Sequence, residues 1–175
     1  MDAEGFAEDA GALHQHLVRV TYALSGDLGL AEECAQEALV RAWGRVDRGV
    51  EVASLTAWST TVALNWCRSQ LRRRGAERRA LRRVPVAREG ADAVPVGLSL
   101  DVHRAVLALP LRQREVVVLR YLLDQDIATI ARTADISEGA VKNALFHGRA
   151  ALARSLADRN DEIGRAPAPA QEDLP

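Results

Sequence analysis

Aromatic side chains are scarce in this chain, at 4% of 175 residues, and a single methionine is present. Ala, Leu, Arg and Val carry most of the composition, which favours helix. No stretch alternates apolar and polar residues for long enough to build a sheet, and no internal repeat is visible. Cysteine is limited to Cys34 and Cys67, outside any CxxC. A disulfide framework is therefore excluded, and two buried free thiols are expected, with a regulatory disulfide as the lesser alternative. No apolar run approaches the ~20 residues needed to span a bilayer, so membrane insertion is not expected. The first residues, MDAEGFAEDA, are acidic where a secretory signal would be basic. The expected location is the cytoplasm.

Catalytic signatures are missing too. There is no glycine-rich phosphate loop and no GxSxG. His14 and His16 stand at i, i+2 and cannot face each other on a helix. His103 and His147 have no cysteine or acidic set at metal-ligand spacing. The chain is expected to be no enzyme, with no catalytic residue, no metal and no cofactor.

What is present is sorted by charge. The whole chain has a formal net charge of −1. Residues 1–47 hold nine acids and three bases, and residues 68–88 hold nine bases and one acid. Residues 101–159 are mildly basic, and residues 160–175 are acidic again. Of the 23 positive residues all but Lys142 are arginine. Such blocks suit different surfaces to different partners.

Apolar residues make up 48% of the chain, enough for packed cores. The pattern predicts an all-α protein of two small helical domains on a flexible linker. The first domain is 1–83, with a turn at 25–29 and a loop at 47–54. The linker is 84–99, holding two prolines and two glycines without a helical stripe. The second domain is 100–158, broken near Leu109-Pro110 and at Ala134-Asp135-Ile136. Residues 159–175 are expected to be a disordered acidic tail.

Residues 55–74 form a helix with an unusual division. Leu55, Trp58, Val62 and Trp66 fall on one arc, and Ala57, Leu64, Cys67 and Leu71 on the roughly opposite one. Between them Thr61, Asn65, Arg68 and Arg72 make a polar strip that begins with hydroxyl and amide and ends in guanidinium. Thr and Asn can bond base edges, and Arg can grip phosphate. Arg73 and the run to Arg83 extend the positive charge, with Gly75 expected to end or kink the helix. A merely solvated basic face is the alternative.

Residues 31–46 form an amphipathic helix. Ala31, Ala35, Ala38, Leu39, Ala42 and Val46 point inward. Glu32, Glu33, Gln36, Glu37, Val40, Arg41 and Trp43 point outward. Acids near the N-terminus suit the helix dipole. Val40 and Trp43 interrupt the polar face, as a protein-binding patch does. Packing of Trp43 under a neighbouring helix is the alternative.

Residues 126–152 read as a helix-turn-helix. Ile127, Ile130 and Ala131 supply the first stripe, and Ser137 caps the second helix. Val141, Ala144, Leu145, Gly148 and Leu152 face inward. Glu138, Lys142, Asn143, Phe146, His147 and Arg149 face outward. Ahead of it, LPLRQREVVVLRYLLDQD supplies packing helices, with Arg112, Arg114 and Arg120 placed to flank DNA backbone.

YALSGDLGLAEECAQEALVRAW, LTAWSTTVALNWCRSQLRRR and ALPLRQREVVVLRYLLDQDIATIARTADISEGAVKNALFHGRAAL, in that order around a linker, resemble the extracytoplasmic function (ECF) sigma factors of bacterial RNA polymerase. The resemblance covers about residues 10–83 and 100–156. It implies a dissociable initiation subunit that takes core polymerase to promoters and helps melt the −10 region. Glu32, Glu33, Gln36, Glu37, Val40 and Trp43 would then dock on the β′ coiled coil. The loop 47–54 with Trp58, Thr61, Asn65, Arg68, Arg72 and Arg73 would open the −10 element and hold single-stranded DNA. Arg112, Ser137, Glu138, Gly139, Lys142, Asn143, Phe146, His147 and Arg149 would read the double-stranded −35 element. An anti-sigma factor is the regulatory partner the resemblance implies. Asp135 stands where the family's helix-turn-helix usually has Gly. The rival reading is an ordinary helix-turn-helix regulator that works without core polymerase.

Overall fold

The computed structural model describes residues 3–50, 52–80 and 99–165, with side chains described for 5–50, 52–77 and 99–158. The linker 84–99, apart from its last residue, and the end of the tail lie outside the described residues. So do the side chains of Arg78 to Arg83. The described residues form seven helices and no strand.

The first domain contains α1 (Ala3–Ser25), α2 (Leu28–Val46) and α3 (Leu55–Ala80). The α1–α2 turn is tight because its ends are satisfied locally. Gly26, at φ +67°, donates its N–H to the Tyr22 carbonyl at 2.8 Å. The Asp27 carboxylate then accepts from Leu30 N at 3.0 Å and caps α2. The inward residues Ala31, Ala35, Ala38 and Ala42 are fully buried and let neighbouring helices approach closely. Leu13 and Leu17 fill the space against Ala35, Ala38 and Ala63. α3 runs unbroken through Gly75 to Ala80, so that glycine does not end it. Ala57, expected inward, is exposed; Ser59, Thr60, Ala63, Leu64, Cys67 and Arg68 line the buried face instead.

The second domain contains α4 (Leu100–Ala108), α5 (Leu111–Tyr121), α6 (Ile127–Ala134) and α7 (Glu138–Arg165). Ser99 caps α4, and Pro110 precedes α5, where its missing N–H costs nothing. Asp126 caps α6 by accepting from Thr129 N at 2.6 Å, and this bond holds its carboxyl below the usual range. α6 ends at Asp135, which sits in the left-handed region at φ 54°, ψ 57°. Ser137 then accepts from Ala140 N at 3.2 Å and starts α7. Val141, Ala144, Leu145 and Gly148 of α7 are buried, as the pattern predicted.

The two domains do not hang apart. One apolar cluster runs from Val20, Leu24, Leu30 and Leu64 into Val106, Val116, Leu119, Ile130 and Val141. α1 packs on α4 and α5. The Tyr22 and His103 rings meet across the junction at 4.9 Å. Burial and Arg114 hold His103 below its ordinary value, against the opposing pull of a bond to the Tyr22 backbone.

Candidate nucleic-acid interface

α2 presents the acidic face as expected. Glu32, Glu33, Gln36, Val40 and Trp43 are exposed and Glu37 is half-buried. Val40, a large apolar side chain, is 68% exposed. Trp43 is 41% exposed, and one side of it rests on Phe6 at 5.4 Å. Trp43 is thus anchored on one side and exposed on the other. Glu37 pairs with Arg41 at 2.7 Å within the helix. Arg74 of α3 reaches back to Asp27 at 2.9 Å and ties the start of α2 to the basic helix.

Behind the end of α2 a cleft of about 810 Å³ is lined by Val46, Gly49, Val50, Val52, Ala53, Ser54 and Leu55. Its walls are mixed in polarity, with Val46, Val50, Val52 and Leu55 as the larger apolar side chains and Ser54 as the polar one. Trp58 stands near the start of α3 and is covered by Arg45, whose guanidinium lies 4.7 Å from the ring centroid. That cation–π contact orients both groups at the edge of the basic helix.

The polar strip of α3 is split by the fold. Thr61 is half-exposed and bonds back to the Ala57 carbonyl at 3.0 Å. Asn65, Arg72 and Arg73 are exposed. Arg68 is 8% exposed, buried against the second domain. Its Nη2 donates to Asn65 Oδ1 and its Nη1 to the Ala134 carbonyl at 2.9 Å. Its Nε lies 3.2 Å from Glu115 Oε1. Glu115 is 1% exposed, and Arg112 approaches its other oxygen at 3.3 Å. Burial pushes the Glu115 carboxyl up, and Arg68, Arg112 and Arg72 pull it back down.

α7 carries its outward set in the open. Ser137, Glu138, Gly139, Lys142, Asn143, Phe146, His147 and Arg149 are all exposed. Phe146 is 64% exposed, and its ring meets that of His147 edge-on at 5.3 Å. The three arginines expected to flank the DNA backbone all have partners within the protein. Arg114 donates to the Leu24, Leu107 and Leu109 carbonyls. Arg120 donates to the Gln125 carbonyl at 2.9 Å. Arg112 shares the Ala134 carbonyl with Arg68. Sequence reasoning passed over Glu115; its signal is a lone acid inside the apolar run of REVVVL.

No helix among the described residues is long and apolar enough to cross a membrane, and no group of three metal-ligating side chains stands together among them.

Known families match both halves of this arrangement. The description "Sigma-70 region 2" matches residues 10–77, and "Sigma-70, region 4" matches residues 99–152. ECF RNA polymerase sigma factor SigM of Mycobacterium tuberculosis is 34% identical over 86% of this chain and 74% of its own length. "Probable RNA polymerase sigma factor RfaY" of Xanthomonas campestris is 29% identical over 90% of this chain, which spans only 42% of that protein. A solved structure of the sigma factor RpoE in complex with the anti-sigma factor NepR, from Bartonella quintana, superposes with a TM-score of 0.70. It is 25% identical and covers 89% of this chain and 98% of that one.

Proposed function

Since the chain belongs to the ECF RNA polymerase sigma factor family, non-enzymatic polymerase subunits that direct the enzyme to promoters, we propose that its surfaces divide that task in three. The exposed face of α2, with Glu32, Glu33, Gln36, Glu37, Val40 and Trp43, docks on the β′ coiled coil of core polymerase. Its acids would repel DNA, and its half-anchored Trp43 beside Val40 is the kind of aromatic patch on which protein partners close. The cleft behind Leu55, with Trp58, Thr61, Asn65, Arg68, Arg72 and Arg73, takes the −10 element. The cleft's volume of about 810 Å³ supports capture of an unstacked base, and the exposed Arg72 and Arg73 farther along α3 supply charge for phosphate, while Arg68 is held inside by Glu115 and the Ala134 carbonyl.

α7 reads the −35 element in the major groove. The observation that carries this reading is the outward set of α7. Lys142, Asn143, Phe146, His147 and Arg149 are all exposed, on the helix that follows the left-handed turn at Asp135. Lys and Asn can bond base edges, Phe can meet a thymine methyl, and Arg149 can reach phosphate. The chain works in the cytoplasm, where the polymerase is. The complex of the similar RpoE with NepR supports an anti-sigma factor as the regulatory partner here.

In vitro transcription with purified core polymerase over a library of genomic promoter fragments tests the reading. Specific transcripts that depend on this chain are expected. Silence from every template would overturn it. Asn65→Ala with Arg72→Ala should reduce open-complex formation by tenfold or more, taking about 1–3 kcal/mol per base contact, and spare core binding.

A further inference from the structure

Arg45 stands outside every surface assigned so far. It lies in the last turn of α2, half-buried, and its guanidinium rests on the Trp58 ring of α3, 4.7 Å from the centroid. Among the described residues its side chain has no ion pair and no hydrogen bond. Arg41, one turn earlier, makes the same kind of contact with Trp66 at 5.3 Å, but its guanidinium is already committed to Glu37 at 2.7 Å. A guanidinium that stacks by its face keeps its N–H groups in its own plane, directed away from the ring. On Arg45 those donors are unspent.

The stacked pair flanks the cleft from both of its helices. Arg45 adjoins Val46, and its carbonyl accepts from Val50 N at 3.0 Å, which folds the cleft's loop back on the end of α2. Trp58 lies one turn beyond Leu55, which lines the other end of the same loop. A base taken into the cleft brings its phosphate with it, and the strip on α3 has no cation close by. No cationic residue stands between Leu55 and Arg68. Arg68 and Arg72 are thirteen and seventeen residues beyond Leu55, about 20 and 26 Å at about 1.5 Å per residue. At about 3.4 Å per nucleotide of a stacked strand, each is several nucleotides away. We propose that Arg45 belongs to the −10 site. Its guanidinium binds the phosphate beside the captured base, and Trp58 is the positioning residue that holds the fork in place before DNA arrives. The inference rests on the reading that the −10 element enters this cleft.

Holding the guanidinium in advance matters because an arginine otherwise loses much rotamer freedom when it grips a ligand. The ring removes part of that cost before binding. Two simpler roles for Arg45 are open to the same test. A cation in the last turn of a helix suits the dipole there, and a lysine serves that end equally well. A general positive field near the cleft is served equally well by Arg48, which is exposed and lies back along α2, its Nη2 3.4 Å from where a Cβ on Gly44 would stand.

The test uses holoenzyme formed from core polymerase and the full-length chain. The probe is a promoter fragment recovered in the transcription assay above, premelted by mismatches across its −10 element. Fluorescence anisotropy gives the affinity over a salt series, and circular dichroism and core binding show that each variant folds. Arg45→Ala is expected to weaken binding about three- to tenfold and to lower the slope of log affinity against log salt by roughly 0.7, as loss of one single-strand phosphate contact does. Arg48→Ala removes the same charge from an exposed position and is expected to stay within about twofold of the wild type. Arg45→Lys keeps the charge and loses the fork, so it is expected to recover the slope and only part of the affinity. Unchanged affinity and slope in folded Arg45→Ala overturn the assignment. Equal losses in Arg45→Ala and Arg48→Ala overturn it too, because a diffuse field would then be at work. Wild-type affinity in Arg45→Lys also overturns it, since the stacked fork would have no part, and this variant carries the test if Arg45→Ala does not fold. If Asn65→Ala with Arg72→Ala weakens binding and Arg45→Ala does not, the −10 reading stands and this inference fails. If the wild-type holoenzyme does not distinguish the fragment from one with a scrambled −10 element, the −10 reading fails, and this inference with it.

Discussion

The guanidinium of Arg114 donates to the Leu24 carbonyl at 2.8 Å, so an arginine of the second domain caps the C-terminal end of the first domain's opening helix. The same guanidinium also holds the Leu107 and Leu109 carbonyls at 2.6 and 3.0 Å. A planar fork suits three carbonyls, and an ammonium does not. Arg114→Ala should lose about 3 kcal/mol in a denaturant melt, since bonds to charged groups contribute about 1.5–3 kcal/mol each. Arg114→Lys should recover less than half of that. A melt unchanged in both variants would show that these bonds add nothing.

Asp135 takes a left-handed conformation that a Cβ disfavours. Asp135→Gly should therefore stabilise the chain by about 0.5 kcal/mol, and Asp135→Val should cost about 1–2 kcal/mol. Thermal melts of the two variants should move in opposite directions.

Gly148 brings α7 close to α5. A Cβ there would stand 3.0 Å from Val117 Cγ2 and 3.7 Å from Gln113 Cβ. Helix propensity alone favours Gly148→Ala by about 1 kcal/mol. Val117 is buried and β-branched, so it has little room to yield. Gly148→Ala should lose about 0.5–1 kcal/mol, and Gly148→Leu more than about 2 kcal/mol. A stabilised Ala variant would show that the packing is looser than this contact implies.

His103 is buried between Tyr22 and the second domain, and burial with Arg114 keeps it neutral below its ordinary pKa. Its folded value is depressed, so its contribution is full above about 6.5 and is lost as pH falls through the folded value. His16, lowered by burial and by Arg19, acts in the same direction. Glu115 is raised by burial and acts oppositely: its contribution is full below the ordinary carboxylate range and fades as pH rises through its folded value. Between pH 7.5 and 5.5 the wild type should lose a few degrees of Tm, at about 2–4 °C per kcal/mol for a chain of this size. His103→Gln should flatten that slope, with His16→Gln adding to the effect. An equal slope in His103→Gln would remove the histidine from the account.

Cys34 and Cys67 are both buried, and Cys67 is pushed well up by its hydrogen bond with Cys34 and by burial. Thiolate is the reactive form, so native labelling by a maleimide at pH 8 should be at least a hundredfold slower than in denaturant. Prompt labelling of the folded chain would contradict this packing.

Local rules in the sequence were enough for much of this protein. The alanine ladder of α2, the cap at Ser137 and the turn at 134–136 depend on neighbours within a few residues, so periodicity and capping chemistry exposed them; the caps at Asp27, Ser99 and Asp126 follow the same local rule and were found in the structure. The outward set of α7 was legible for the same reason, since every residue on its inner face is small or aliphatic. Gly75 misled because helix propensity is a weak preference that a long helix overrides. What no local rule could supply was the meeting of the two domains. The Arg68–Glu115 pair joins residues 47 positions apart in the chain, and nothing near either one marks the other. A guanidinium on a polar strip looks the same in sequence whether it faces DNA or a buried carboxylate. Which partner it takes was decided by how two separately patterned helical units close on one apolar core, and that is settled only in three dimensions.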